Sequence, residues 1–218
     1  YRKIVSIEKS RKSDGACILV DSPEHLYLTR DFIVTHNTAM ILAADAVMRN
    51  RGLFKNGEQA TIISAPNKNV HVWYNEVVKF RNEGAYIVEG SRQERVEQWE
   101  ELLQRAREGT LPKIIIVGSS QFRMVKPDKP ETPEEAQERE MELGMDAQYM
   151  KLLALGGTSQ GKAVRGGHIA ALAMDESGQF VNFDAARHKA LSDITDSVYA
   201  SKGLVWTMNG DLLGNSCS

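Results

Sequence analysis

The tripeptide His36-Asn37-Thr38 sets an imidazole, a carboxamide and a hydroxyl in consecutive positions. An Asn side-chain nitrogen can attack the carbonyl of its own residue, closing a succinimide ring and breaking the following peptide bond. A neighbouring imidazole assists by protonating the departing amine or by polarising that carbonyl, and His36 is placed to do so. On the far side of the bond, the Thr38 hydroxyl is a candidate acyl acceptor for an ester-linked intermediate. A second constellation, Asp175-Glu176, closes the apolar run His168 to Met174. Carboxylates at a strand end can hold Mg2+ through water and orient an attacking water. Both also have an ordinary explanation: Asn37 or Thr38 as a helix N-cap, and Asp175-Glu176 as a solvated turn.

The elements that must position these groups change character at Asn37. Residues 1–37 alternate short β-rich runs, Ile4-Val5-Ser6-Ile7, Cys17-Ile18-Leu19-Val20, His25-Leu26-Tyr27-Leu28 and Phe32-Ile33-Val34, with turn clusters at Lys12-Ser13-Asp14-Gly15 and Asp21-Ser22-Pro23. A small antiparallel β unit is expected there. From Ala39 to Arg51 the chain is rich in Ala, Met and Leu and stops at Gly52, which predicts a helix. Strands are predicted at Ala60 to Ser64, Ala85 to Val88, Lys113 to Val117, His168 to Met174 and Leu204 to Met208. Between them, Val70, Trp73, Tyr74, Val77 and Val78 recur at helical spacing. Ser91 and Glu94 resemble a capping box for a helix burying Val96, Trp99, Leu103 and Ala106. Trp73 and Trp99 therefore read as packing residues. Ala185 to Val198 predicts a further helix. Residues 124–165, with Pro127, Pro130 and Pro133 and an acidic run from Glu131 to Glu142, break the rhythm and are expected to be an insertion with an exposed acidic helix starting at Thr132.

Alternating strands and helices imply an α/β fold: a parallel sheet with helices on both faces and its chemistry at the carboxyl ends of the strands.

Composition bounds the function. At 218 residues the chain is long enough for one domain and a remainder. The 27 basic and 29 acidic residues leave a net charge of −2, which excludes a polybasic nucleic-acid binder and confines any DNA contact to a local patch. A hydrophobic share of 42% with 26% charged residues argues against wholesale disorder. The longest apolar runs fall far short of the roughly 20 residues that span a bilayer, so no membrane partner is expected. Cys17 and Cys217 cannot build a disulfide framework, which suits a reducing interior; the expected compartment is the cytoplasm of a microbe or of a phage-infected cell. With no initiating Met or leader at Tyr1, a fragment is expected.

Cys17-Ile18-Leu19-Val20, followed by the run from His25 to Thr38, resembles the C-terminal splicing block of an intein. The resemblance implies a Hint-type β fold for 1–37, with His36 assisting cyclisation of Asn37 and Thr38 as the nucleophile of the downstream host. Cys17 would help resolve the branched intermediate. The partner implied is the missing N-terminal intein and host half, without which this piece should not splice.

From Thr38 onward the chain resembles the first RecA-like domain of superfamily 2 helicases, especially Swi/Snf-type ATPases, cut inside the Walker A phosphate loop. The matching segments are Ile62-Ile63-Ser64-Ala65-Pro66 with Trp73-Tyr74-Asn75-Glu76, then Ile114 to Arg123, Met174 to Asn182, and Val205 to Asn215. The resemblance implies ATP and Mg2+ as cofactors, with Thr38 and Asp175 on the metal and Glu176 orienting the attacking water. It implies DNA, duplex or single strand, as partner, tracked along its backbone by Ser64, Pro66, Asn67 and Lys68 on one loop and Ser119 and Ser120 on another. Gly178 stands where the family has His or Asp, and Asn209-Gly210-Asp211 replaces a hydroxyl-bearing triplet, which favours ATP hydrolysis over unwinding as the expected activity. Without the Walker A Gly-Lys and the second motor domain, the chain alone should be inactive. Two alternatives are a phage terminase-type packaging ATPase interrupted by the same intein, and a non-enzymatic α/β binding domain.

Overall fold

The structure, a computed structural model, describes residues 27–28, 34–35, 37–125, 142–175 and 186–208. Strands β1 (Tyr27–Leu28) and β2 (Val34–Thr35) pair antiparallel, with Tyr27 opposite Thr35 and Leu28 opposite Val34. Helix α1 (Asn37–Asn50) follows, then β3 (Ala60–Ala65), α2 (Val70–Arg81), β4 (Tyr86–Val88), α3 (Arg92–Glu108) and β5 (Ile114–Gly118). Short strands β6 (Met124–Val125) and β7 (Glu142–Leu143) pair antiparallel and precede α4 (Met145–Leu155). A hairpin of β8 (Gly156–Ser159) and β9 (Lys162–Arg165) leads to β10 (Ile169–Asp175), α5 (Ala186–Ala200) and β11 (Leu204–Met208).

Five of these strands form one all-parallel sheet in the order β11-β10-β3-β5-β4. Every residue of β3 and β5 is buried, as expected of strands covered on both faces. The two-residue period divides them: Ile62, Ile115, Val117, Leu172 and Met174 pack with α3, α4 and α5, whereas Ile63, Ala65, Ile114, Ile116 and Ala173 pack with α1 and α2. The expected α/β architecture with helices on both faces is therefore present.

Local chemistry sets the helix ends. Ser91 Oγ accepts from the Glu94 N–H while the Glu94 carboxylate accepts from the Ser91 N–H, completing the expected capping box, and α3 stops at Gly109 in the left-handed region (φ 71°). Trp73 and Trp99 are buried, as packing residues should be. Within the stretch 124–165, Ala147, Met150, Leu153 and Ala154 of α4 are fully buried in the main core, at helical spacing. The acidic helix expected from Thr132 lies outside the described residues.

A buried ionic network ties the amino end of the sheet to α1 and α2. Asp45, fully buried, accepts from Arg49 Nε, Arg81 Nη1 (2.6 Å) and Thr61 Oγ1. Arg49 in turn donates to the carbonyls of Gln59 (3.0 Å) and Lys113 (2.8 Å), which immediately precede β3 and β5. This fixes the direction of α1. Its 14 residues span roughly 21 Å at 1.5 Å each, about the roughly 20 Å of six-residue β3, so with Arg49 at the amino edge its first turn reaches the carboxyl edge. Among the described residues no helix is long and apolar enough to cross a membrane.

Candidate functional site

Because all five strands run the same way, their carboxyl ends share one edge, and most of the predicted site residues that are described fall there. Asp175 is the last residue of β10. Trp73, in the first turns of α2 and 2% exposed, donates its indole N–H to Asp175 Oδ2 at 2.8 Å. The hydrogen bond crosses from the helix over one face of the sheet to the strand end and fixes where that carboxylate sits. Asn37 and Thr38 are the first two residues of α1, so the bond between them lies in the first helical turn, at the edge where β10 ends. His36, Cys17 and Glu176 lie outside the described residues.

The two loops expected to track a nucleic-acid backbone are brought together. Pro66 is buried and its carbonyl accepts from the Asn69 N–H (2.7 Å), closing a single 3-10 turn over Asn67–Asn69. Asn67 and Lys68 are exposed on that turn. The second loop is the turn Ser119–Gln121, where Ser119 is buried and Ser120 exposed. Asn67 Nδ2 donates to Ser120 Oγ at 2.9 Å, and Ser120 Oγ donates back to Asn67 Oδ1 at 3.0 Å. Gly118 makes the approach possible, since a Cβ there would lie 2.4 Å from Asn67 Oδ1. Ser64 is placed differently. It is wholly buried within β3, and its hydroxyl has no hydrogen-bond partner among the described residues. The exposed part of the predicted set is thus Asn67, Lys68 and Ser120.

Beside the linked loops, at the ends of β3, β4 and β5, a polar cavity of about 310 Å³ is lined by Asn67, Gly90, Arg95, Ser120, Gln121 and Arg123, among others. Arg95 donates from Nε to Asp146 Oδ1 (2.9 Å) and from Nη1 to the Gly90 carbonyl (2.6 Å). Trp99 Nε1 donates to the same Asp146 oxygen (3.0 Å), which holds that buried acid from a second side. Gln121 donates from Nε2 to the Val88 carbonyl (2.6 Å), while its buried Oε1 has no partner among the described residues. Arg123 is exposed at this cavity. Asn67 and Ser120 are predicted site residues, whereas Gly90, Arg95, Gln121, Arg123 and Asp146 are not. Gln121 and Arg123 directly follow Ser119-Ser120 and were findable as continuations of that loop; Arg95 and Asp146, on α3 and α4, carry no local signal of their contact.

Among the described residues no group of three or more His, Cys, Asp or Glu converges to hold a metal. One carboxylate at a strand end is, however, the donor set that Mg2+ takes when nucleotide phosphates and water complete its shell. No protein-family model and no curated protein matches the chain.

Proposed function

We propose that the chain joins the C-terminal segment of a protein-splicing element, ending at Asn37, to a RecA-like ATPase domain of a DNA helicase or translocase that resumes at Thr38. The observation that carries this assignment is the junction. An antiparallel pair ends at Thr35, and from Asn37 the chain is a parallel α/β unit whose first helix starts on the edge where β10 ends in Asp175.

In the splicing step, Thr38 Oγ attacks the carbonyl carbon at the end of the upstream host chain and gives up its proton, the bond from that carbon to the missing N-terminal splicing half breaks, and the acyl group passes to Thr38 Oγ as an ester. Asn37 Nδ2 then attacks the Asn37 carbonyl carbon, the bond from that carbon to the Thr38 nitrogen breaks, and the nitrogen takes up a proton; the freed Thr38 amine next attacks its own ester, moving the acyl group from Oγ to nitrogen, which forms the peptide bond and restores the Thr38 hydroxyl. His36 assists the departure, and Cys17 helps the branched intermediate resolve.

In the ligated product, the Thr38 hydroxyl and the Asp175 carboxylate would hold Mg2+ and its ATP phosphates, with the N-terminus of α1 towards the anion. The bound metal supplies charge neutralisation on the phosphates. Trp73 keeps Asp175 in place, and Glu176 orients the water. Asn67, Lys68 and Ser120 would follow DNA phosphates, a local contact that a net charge of −2 permits. The setting would be the cytoplasm of a microbe or of a phage-infected cell.

Turnover in the ligated product tests the ATPase half. Glu176→Gln should lower hydrolysis by about 100-fold or more while ATP still binds. Unchanged turnover would remove Glu176 from the mechanism.

A further inference from the structure

Helix α1 begins on the residue whose carbonyl the proposed splicing step releases from Thr38. In an α-helix each carbonyl accepts from the N–H four residues on, so the Asn37 carbonyl accepts from the Ile41 N–H. The donor belongs to the host segment and the acceptor to the splicing segment. One hydrogen bond therefore joins the two across the bond that is to be broken.

The host fold holds that donor in place. Ile41 and Leu42 are buried against Ile63 of β3 and Val77 of α2, in the layer that α1 shares with α2. Arg81, on α2, donates from Nη1 to the Leu42 carbonyl (3.2 Å) and to Asp45 Oδ2 (2.6 Å). From Nη2 the same guanidinium reaches Glu83 Oε1 (2.8 Å). The residue after Ile41 and the acid one turn beyond it are thus gripped by a single side chain from the neighbouring helix. Turning the Ile41 N–H away from Asn37 would cost both this grip and the apolar packing, so the direction of the donor is fixed by host residues distant in the sequence.

As Asn37 Nδ2 bonds to the Asn37 carbonyl carbon, the π pair of that carbonyl moves onto its oxygen. The pair returns when the bond to the Thr38 nitrogen breaks, one proton leaving Nδ2 and one arriving on the Thr38 nitrogen. Between these events the negative charge sits on the oxygen that the Ile41 N–H faces. A hydrogen bond to an ionised acceptor is roughly twice as strong as one to a neutral carbonyl. A donor that strengthens only as the charge develops lowers the barrier more than it stabilises the starting state. We infer that the Ile41 backbone N–H is the oxyanion donor for cleavage after Asn37, so that the folded host supplies a catalytic group for release of the splicing segment. This role rests on the splicing assignment above, and it ties release to the formation of α1.

Exchanging one backbone N–H for an ester oxygen tests this without altering a side chain. The 218-residue chain is mixed with the upstream splicing half, and intact mass follows the rate at which the segment ending at Asn37 is released. With the α-hydroxy acid counterpart of Ile41 in place, release should slow by about 10-fold or more. The same exchange at Leu42, whose N–H pairs with the Thr38 carbonyl one residue beyond the reacting one, weakens the helix equally and should leave the rate within about twofold. No slowing at Ile41, or equal slowing at both positions, overturns the inference. Amide exchange in the unmodified chain gives a second reading that does not depend on the ester forms folding. There the Ile41 N–H should exchange about 10-fold or more slowly than those of Thr38 and Ala39, which precede the helical ladder, and equal rates overturn the inference. A chain that releases nothing in any form removes the splicing assignment, and this role with it.

Discussion

Trp73 Nε1 stands 2.8 Å from Asp175 Oδ2, a hydrogen bond between residues 102 positions apart. It gives the buried indole a second task beyond packing. The ring fills the layer between α2 and the sheet, while its one polar atom reaches the end of β10 and orients the carboxylate that we propose holds the metal. A donor held by a buried ring loses little freedom when the acid's surroundings change, which suits a site that must hold one geometry.

Trp73→Phe keeps most of the packing and removes the donor. Loss of a hydrogen bond to a charged group, with a partial cavity, should lower stability by about 1–3 kcal/mol in urea unfolding. In the ligated product the KM for Mg2+-ATP should rise, because Asp175 is no longer held. An unchanged unfolding midpoint and KM would mean that the contact orients nothing.

Much of the framework was legible from residue types alone. The five strands of the sheet were expected within a residue or two of where they lie, because fully buried parallel strands are continuous apolar runs that turn residues interrupt. The Ser91 and Glu94 box was legible because both partners lie within one helical turn. The grip of Arg95 and Trp99 on Asp146 was not, since the partners lie 51 and 47 positions apart and each is unremarkable in its own segment. Helix α4 was hidden for another reason: its apolar spacing is helical, but the prolines and acidic residues ahead of it made the whole stretch read as an insertion. At the site, the loops at Asn67 and Ser120 were placed by the motifs, whereas their mutual hydrogen bonds depend on Gly118 admitting the Asn67 side chain.

That close approach gives a separable test. In Gly118→Ala the new methyl would meet the tip of the Asn67 side chain, which is exposed and able to swing away, so stability should change by less than about 1 kcal/mol. The link to Ser120 should break. DNA affinity of the ligated product, measured by fluorescence anisotropy, should fall several-fold in the variant. Equal affinity would separate the linked loops from nucleic-acid binding.

Alkaline pH probes the helical layer. Tyr149 stacks on Trp99 with ring centroids 6.1 Å apart and donates to Glu100, and burial together with that carboxylate pushes its phenol up from 10.0 to about 12. A phenol with a raised pKa favours folding while it is protonated. Its contribution is therefore whole below about pH 10 and is lost as pH rises towards about 12. Urea midpoints should fall across that window, and Tyr149→Phe should flatten the fall. Tyr86, held high by burial and by Glu101, accounts for a residual slope. An identical slope in the variant would contradict the assignment.

The bond between Asn37 and Thr38 is the test on which the splicing assignment turns, and intact mass after adding the upstream splicing half reads it directly. The predicted products are the host chain resuming at Thr38 and a released segment ending in a succinimide at Asn37, lighter by one water than hydrolysis would leave it. Asn37→Ala should abolish that release. A chain that stays whole under these conditions, or one cut equally well in the Ala variant, would contradict it.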